Sequence, residues 1–264
     1  MTTEITPTEI TKKFDPFSIN SIKTRMITLQ NRPDLGLNYH DNANLLSNKQ
    51  QYAIIVSNMI TTHSTIGYFF NIPITCQTWR QIGFGCFIVI PYYQKDPDVI
   101  NAIDIVKNNL VKWGQEFPGS IIILEMQVSE EQQDRTVQIS QVVRLFIAQI
   151  LKYSMSTEDF ATIQNTIYLI TTDVDLMPLS TKVFRDLSHD WHLVSPISVN
   201  ESKGLYVLLS CIGASLGVWN YLMNESDFNN VQHFNSTGIV QVCDQEKQKI
   251  LEKKLGVAVR WGGN

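Results

Sequence analysis

The sequence has little of what marks several large classes of protein. Lys and Arg number 21 against 25 Asp and Glu, and no basic cluster stands out, so we expect no nucleic-acid partner. No run approaches the roughly 18 apolar residues of a transmembrane helix, so we expect no membrane span. The first residues, 1-MTTEITPTEITKKF-14, lack the apolar core of a signal peptide. We therefore expect a soluble, cytoplasmic protein; a lumenal domain separated from its anchor would share these features.

Cysteine is also scarce, and its spacing argues against a zinc site or a redox pair. The four cysteines contain no C-x-x-C pattern, and we interpret them as buried free thiols: Cys76, Cys86, Cys211 and Cys243. The hydrophobic fraction of 44% and the charged fraction of 17% are typical of a globular protein with a sizeable core.

The chain divides into two parts by pattern. Residues 1–50 are rich in Asn, Thr, Ser and Lys, and we interpret them as a polar N-terminal arm that either wraps the domain or is partly irregular. Strands and helices alternate through residues 51–264, which predicts a single α/β domain with a mainly parallel sheet covered by helices on both faces. The predicted strands are 52–59, 84–90, 120–126 and 167–172, and the predicted helices are 71–83, 96–114, a long one at 136–153, and a short one capped by Ser156 or Thr157.

Two carboxylates follow the last of these strands, in 167-IYLITTDVDLMPLS-180. Asp173 and Asp175 would lie at the carboxyl end of a parallel strand, where such sheets bind ligands. A second Asp-x-Asp, at Asp96 and Asp98, is explained by the start of a helix. Two carboxylates this close repel each other unless a cation compensates, so we predict a site for a divalent metal with oxygen ligands. The alternative is a turn in which Asp173 bonds backbone N–H groups and Asp175 faces water.

The segment 166-TIYLITTDVDLMPL-179 resembles the Asp-x-Asp segment of GT-A fold glycosyltransferases. In that group a hydrophobic strand delivers the acidic pair to a divalent metal and a nucleotide-sugar diphosphate. The run 52-YAIIVSNM-59 is similar to the first strand, which opens the nucleotide pocket, and 206-YVLLSCIGASLGVWNYLM-223 is similar to the acceptor-side strand. The resemblance spans about 52–255, so it implies a GT-A-like domain over 51–264.

The resemblance implies a metal centre. Asp175 would bind Mn²⁺ or Mg²⁺ directly, and Asp173 would contact the ribose or reach the metal through water. Many members of the group use a late His as a further ligand, and His233 is the best placed in sequence order; the alternative is a surface His.

Four further residues receive roles from the same resemblance. Ser57 and Asn58 would bind the base or ribose, unless they are ordinary polar loop residues. Arg144 would reach the nucleotide, and a structural salt bridge is its alternative. Asp244 would be the base that deprotonates the acceptor hydroxyl, although Asp before Gln-Glu-Lys is also a good helix N-cap.

The predicted function is a metal-dependent hexosyl- or deoxyhexosyltransferase that moves a sugar from a nucleotide-diphosphate donor to a hydroxyl of a carbohydrate or glycan acceptor. A UDP-sugar is the expected donor, with a GDP-sugar as second choice. One alternative is a metal-dependent phosphohydrolase, whose motif usually lies near the start of its domain and continues with Gly and Thr or Val, whereas Leu176-Met177-Pro178 follows here. The other is a glycosyltransferase-like fold without activity that serves as a binding module.

Overall fold

The computed structural model describes most of the chain. The described residues are 27–40, 51–57, 68–93, 97–116, 119–178, 193–194, 198–201, 204–208, 212–223, 249, 253 and 258–260.

Ten strands form two sheets in this part of the chain. In chain order they are β1 Leu37–His40, β2 Gln51–Val56, β3 Gly85–Tyr92, β4 Ile121–Gln127, β5 Tyr168–Asp173, β6 Leu193–Val194, β7 Ser198–Glu201, β8 Gly204–Leu208, β9 Gly213–Ser215 and β10 Ala258–Arg260. The larger sheet has seven strands in the order β1-β4-β3-β2-β5-β9-β6, and the smaller has three in the order β10-β8-β7. In the smaller sheet β7 and β8 are antiparallel, and β10 is parallel to β8.

The larger sheet is mixed. Its four central strands, β4, β3, β2 and β5, are parallel to one another, as the alternation of strands and helices predicts. β1 pairs with β4 in the antiparallel sense, and β9 lies antiparallel between β5 and β6. The α/β prediction is therefore confirmed. The prediction of a mainly parallel sheet holds for the four central strands and is wrong for the flanking strands β1, β9 and β6, which pair in the antiparallel sense. Strands of two to four residues at these positions are too short to show a period in the sequence.

Helices cover both faces of the larger sheet, as predicted. They are α1 Ile72–Gln81, α2 Pro97–Glu116, α3 Thr136–Val143, α4 Ile147–Ser154, α5 Thr157–Ile163 and α6 Leu216–Leu222. One core lies between the sheet and α1 and α2, and includes Cys76, Trp79 and Leu110. The other lies between the sheet and α3 to α6, and includes Phe146 and Trp219. Strand side chains alternate between the two cores, because successive residues of a strand point to opposite faces.

The helix boundaries depart from the predictions in two places. Gly114 does not end its helix, because α2 continues to Glu116. The predicted helix 136–153 is interrupted by a 3-10 turn at Arg144–Phe146, which separates α3 from α4. Periodicity cannot reveal such a break, since one tight turn leaves the apolar positions on nearly the same face. At α5, by contrast, Ser156 is the N-cap and accepts a hydrogen bond from the backbone N–H of Asp159.

Residues 27–40, which the sequence assigns to the N-terminal arm, pack into the domain. Ile27 and Leu29 are buried in the core under α3 to α6, and β1 extends the sheet beside β4. The backbone N–H of Gln30 donates to the carbonyl of Ser154, 2.7 Å away, at the end of α4. This stretch is thus part of the same folded unit as the strands that follow it.

None of the helices in the described ranges combines the length and apolar character needed to cross a membrane.

Candidate functional site

The order of the parallel strands reverses between β2 and β5. From β2 the chain adds β3 and then β4 on one side, and it returns to the other side of β2 with β5. In open α/β sheets, ligands bind outside the carboxyl ends of the strands at such a reversal. Val56, the last residue of β2, lies opposite Asp173, the last residue of β5. Ser57 and Asp173 therefore lie at the same side of the sheet, the edge formed by the carboxyl ends of the parallel strands.

Asp173 is held by Arg144 at this edge. Strand alternation turns Asp173 to the same face as Leu169, which is buried in the core beneath α3 to α6. Arg144 comes from the 3-10 turn on that face, and its Nη1 lies 2.6 Å from Oδ1 of Asp173. The same nitrogen donates to the carbonyl of Thr172 over 3.2 Å. The side chain of Arg144 is 8% exposed and that of Asp173 is 43% exposed, so the buried cation meets a carboxylate open to solvent.

A tight turn carries the chain away from β5 and presents Asp175. The backbone N–H of Leu176 donates to the carbonyl of Asp173 over 3.1 Å, which places Val174 and Asp175 at the corners of the turn. Val174 is buried, and its carbonyl accepts a hydrogen bond from the hydroxyl of Thr75 on α1. Asp175 is exposed. Helix α1 therefore anchors the turn while the second carboxylate faces solvent.

Two buried polar groups at this edge have no hydrogen-bond partner among the described residues: the hydroxyl of Ser57, which is 2% exposed, and Nε of Arg144. The backbone N–H of Ser57 donates to the carbonyl of Val89 on β3, so the position of the residue is fixed even though its hydroxyl is not used. An unmet buried donor costs about 1–3 kcal/mol. Such groups are rare in native proteins and require an explanation, of which a bound ligand is one.

The donor set of this site suits a hard divalent cation that a ligand helps to bind. No group of three or more His, Cys, Asp or Glu side chains arranged for a metal occurs in the described part of the chain. Mg²⁺ and similar ions are often bound by only one or two carboxylates together with substrate phosphates. Asp173 and Asp175 provide two carboxylates, and the buried guanidinium beside them suits an anionic ligand.

Four of the seven predicted site residues lie at the carboxyl ends of β2 and β5 or contact a residue there, and the contact observed among them is the Arg144–Asp173 ion pair. We refer to Ser57, Arg144, Asp173 and Asp175 as the switch-point site. The other three predicted residues lie outside the described ranges: Asn58, His233 and Asp244. Comparison of the chain with models of known protein families and with curated proteins finds no match.

A second group of charged residues was not predicted. It joins β1, β4 and α2, and we call it the edge cluster: His40, Asp104, Lys107 and Glu125. Nζ of Lys107 lies 2.7 Å from Asp104 and 3.1 Å from Glu125, and Nε2 of His40 lies 2.8 Å from the same oxygen of Glu125.

The edge cluster keeps Glu125 ionised in a largely buried position. Burial raises the pKa of the Glu125 carboxyl, but the contacts with His40 and Lys107 outweigh burial and hold the pKa below its ordinary value. A signal for this residue was available, because Glu125 is the single charge in the apolar strand 120-SIIILEM-126. Its partners could not be found in the same way, since they come from two other elements.

Proposed function

We propose that the protein is a glycosyltransferase that uses a divalent cation and a nucleotide-diphosphate sugar, and that the switch-point site binds the cation and the diphosphate. The observation that carries this proposal is the position of Asp173 and Asp175 at the carboxyl end of β5, beside β2, where the strand order reverses. The resemblance of 166-TIYLITTDVDLMPL-179 to the Asp-x-Asp segment of GT-A fold enzymes supports this reaction class.

The residues of the switch-point site have distinct roles in this proposal. Asp175, exposed on its turn, holds the cation, and Asp173 contacts it through water or binds the ribose. A bound Mn²⁺ or Mg²⁺ supplies Lewis-acid stabilisation of the diphosphate leaving group. Arg144 provides a positive charge that attracts the diphosphate, and Ser57 is proposed to bind the base or ribose.

The acceptor side requires a group that takes the proton from the attacking hydroxyl. Asp244 remains the predicted base, and His233 remains the predicted further metal ligand. A carbohydrate or glycan hydroxyl is the proposed acceptor, and a UDP-sugar is the first donor to test, followed by a GDP-sugar.

The nucleotide requirement can be tested by thermal shift. The melting temperature is measured with UDP, GDP, CDP or dTDP, each with and without Mn²⁺. We expect one nucleotide to raise it by several degrees only with the metal, because a ligand that binds the folded state stabilises it. Asp175→Asn should abolish the shift, while Asp98→Asn, in the second Asp-x-Asp of the chain, should retain it. Equal nucleotide affinity in the wild type and Asp175→Asn would contradict the proposal.

Turnover separates the transferase from its two alternatives. The protein is incubated with the nucleotide sugar that matches the nucleotide found, and release of nucleotide diphosphate is followed with and without glycan acceptors. Release of the nucleotide diphosphate supports a transferase. Release of phosphate from simple phosphomonoesters supports a phosphohydrolase instead, and the absence of both reactions supports a binding module.

A further inference from the structure

Arg144 places a positive charge against one of the two proposed metal-binding carboxylates. Its Nη1 forms an ion pair with Asp173 over 2.6 Å. The two carboxylates of the Asp-x-Asp and this guanidinium together leave a single net negative charge. A bare divalent cation is therefore poorly matched to the site. The guanidinium repels the cation and already binds Oδ1 of Asp173, an oxygen that could otherwise be a metal ligand.

The guanidinium is not free to leave when a cation arrives. Nη1 also donates to the main-chain carbonyl of Thr172, a contact that does not depend on the charge of Asp173. The side chain is 8% exposed, and its backbone belongs to the 3-10 turn between α3 and α4. Leu145 and Phe146, the two other residues of that turn, are buried in the core. Arg144 is therefore held at the site by contacts other than its ion pair with Asp173.

An anionic ligand changes this balance. The guanidinium of Arg144 lies beside Asp173, so its positive charge also attracts a phosphate oxygen that approaches this carboxylate. A diphosphate brings negative charge that both the cation and Arg144 can share. The charges at the site thus suit the cation and the diphosphate together better than either alone.

We infer that Arg144 is a built-in counter-ion that weakens binding of the bare divalent cation and makes tight cation binding depend on the diphosphate. The inference rests on the proposed function and adds the order of binding: free Mn²⁺ or Mg²⁺ does not load the site in advance, and the cation enters with the nucleotide. Arg144 is in this respect a positioning residue, and it acts on the cation through Asp173.

The test measures Mn²⁺ affinity without nucleotide, by electron paramagnetic resonance of the free ion. Arg144→Gln removes the charge, and Arg144→Met is a second neutral variant whose side chain suits the apolar surroundings. Arg144→Lys is the matched control that keeps the charge. Far-UV circular dichroism establishes which variants are folded. We expect the neutral variants to bind Mn²⁺ at least about tenfold more tightly than the wild type, and Arg144→Lys to stay near the wild type.

A second titration uses UDP at saturating Mn²⁺. Here the neutral variants should bind about tenfold more weakly than the wild type, because the positive charge that attracts the diphosphate is lost. Opposite changes for the two ligands distinguish a counter-ion from a residue that only supports the fold, since a damaged fold weakens both.

The possible failures are distinguishable. Equal Mn²⁺ affinity in the wild type and a folded neutral variant, with binding abolished by Asp175→Asn, would overturn the counter-ion and leave the metal-dependent function in place. Absence of Asp175-dependent Mn²⁺ binding in every variant would overturn the counter-ion and the proposed metal site together.

Discussion

The switch-point site and the edge cluster both contain carboxylates and basic side chains, but they differ in how completely these groups are paired. Each places a strand carboxylate against a basic side chain from a helical segment on the sheet face. In the edge cluster Lys107 lies beside two carboxylates, and Glu125 contacts both Lys107 and His40. In the switch-point site Asp175 is exposed, and a guanidinium nitrogen and a serine hydroxyl have no partner among the described residues.

This difference separates a structural ion cluster from a candidate binding site. Charges that neutralise each other in a buried position hold elements together, and here they join β1, β4 and α2. In the switch-point site, by contrast, Asp175 is exposed and can bind a ligand from solvent. The two regions can therefore be told apart by making matched substitutions in each and comparing the effects on ligand affinity and on the free energy of unfolding.

The largest expected effect is on nucleotide binding. Asp173→Asn should weaken Mn²⁺-dependent UDP binding about 100-fold, since it removes the carboxylate that Arg144 and the cation share. Glu125→Gln, the matched change in the edge cluster, should leave UDP affinity within about twofold of the wild type. Isothermal titration calorimetry measures both. Comparable losses in the two variants would show that the two regions do not differ in function.

The same two variants should rank in the opposite order in stability. Glu125→Gln should lower the free energy of unfolding by about 2 kcal/mol, because Lys107 and His40 lose a charged partner in a largely buried position. Asp173→Asn should lower it by less than about 1 kcal/mol, because its carboxylate is 43% exposed and solvent screens the pair. Urea denaturation gives both values. A larger loss of unfolding free energy in Asp173→Asn than in Glu125→Gln would show that the switch-point site, and not the edge cluster, is the structural ion pair.

The edge cluster should also contribute to acid sensitivity. The pKa of Glu125 is lowered in the folded state, where the effect of burial is outweighed by the contacts with His40 and Lys107. The unfolded chain therefore takes up this proton at higher pH than the folded protein, and the stabilisation is present above the ordinary pKa and lost as the pH falls through the folded value. Unfolding free energies measured from pH 7 to pH 3 should fall less steeply in Glu125→Gln than in the wild type. Parallel pH profiles would contradict this.

The smallest expected effect concerns buried hydroxyls. Ser57→Ala removes a buried hydroxyl with no partner in the described part of the chain, so the free energy of unfolding should rise by about 1 kcal/mol, while UDP affinity should fall about fivefold. Ser140→Ala is the matched control: its hydroxyl donates to the carbonyl of Thr136 over 2.8 Å, and its loss should cost about 1 kcal/mol. That control should leave UDP affinity unchanged. A loss of stability in Ser57→Ala as large as in Ser140→Ala would show that the Ser57 hydroxyl is already satisfied.

Much of the central fold could be predicted because its signals are local. The apolar runs of β2, β3, β4 and β5 identify strands buried on both faces, and the Ser156 cap of α5 needs only residues three apart. The flanking strands could not be predicted in the same way. β1 has four residues and β9 has three, and neither is long enough to establish a period.

The candidate site was predictable residue by residue but not as an arrangement. Asp173 and Asp175 were identifiable because they follow an apolar strand, and Ser57 because it follows another. The partner of Arg144 was left open between a nucleotide and a structural salt bridge. The structure contains the ion pair with Asp173, which is the salt bridge of the second interpretation, and the contact with a nucleotide stays a prediction.

The sequence by itself determined the order of the central strands and helices and the polar residues that end the strands, since these depend on neighbours along the chain. Only the tertiary structure decided which strand lies beside which, and hence that the end of β2 meets the end of β5. It also decided that Arg144 contacts Asp173 and that Glu125 is paired on two sides. Strand pairing and ion pairs join residues far apart in sequence, and their energies depend on burial that exists only after the chain has folded.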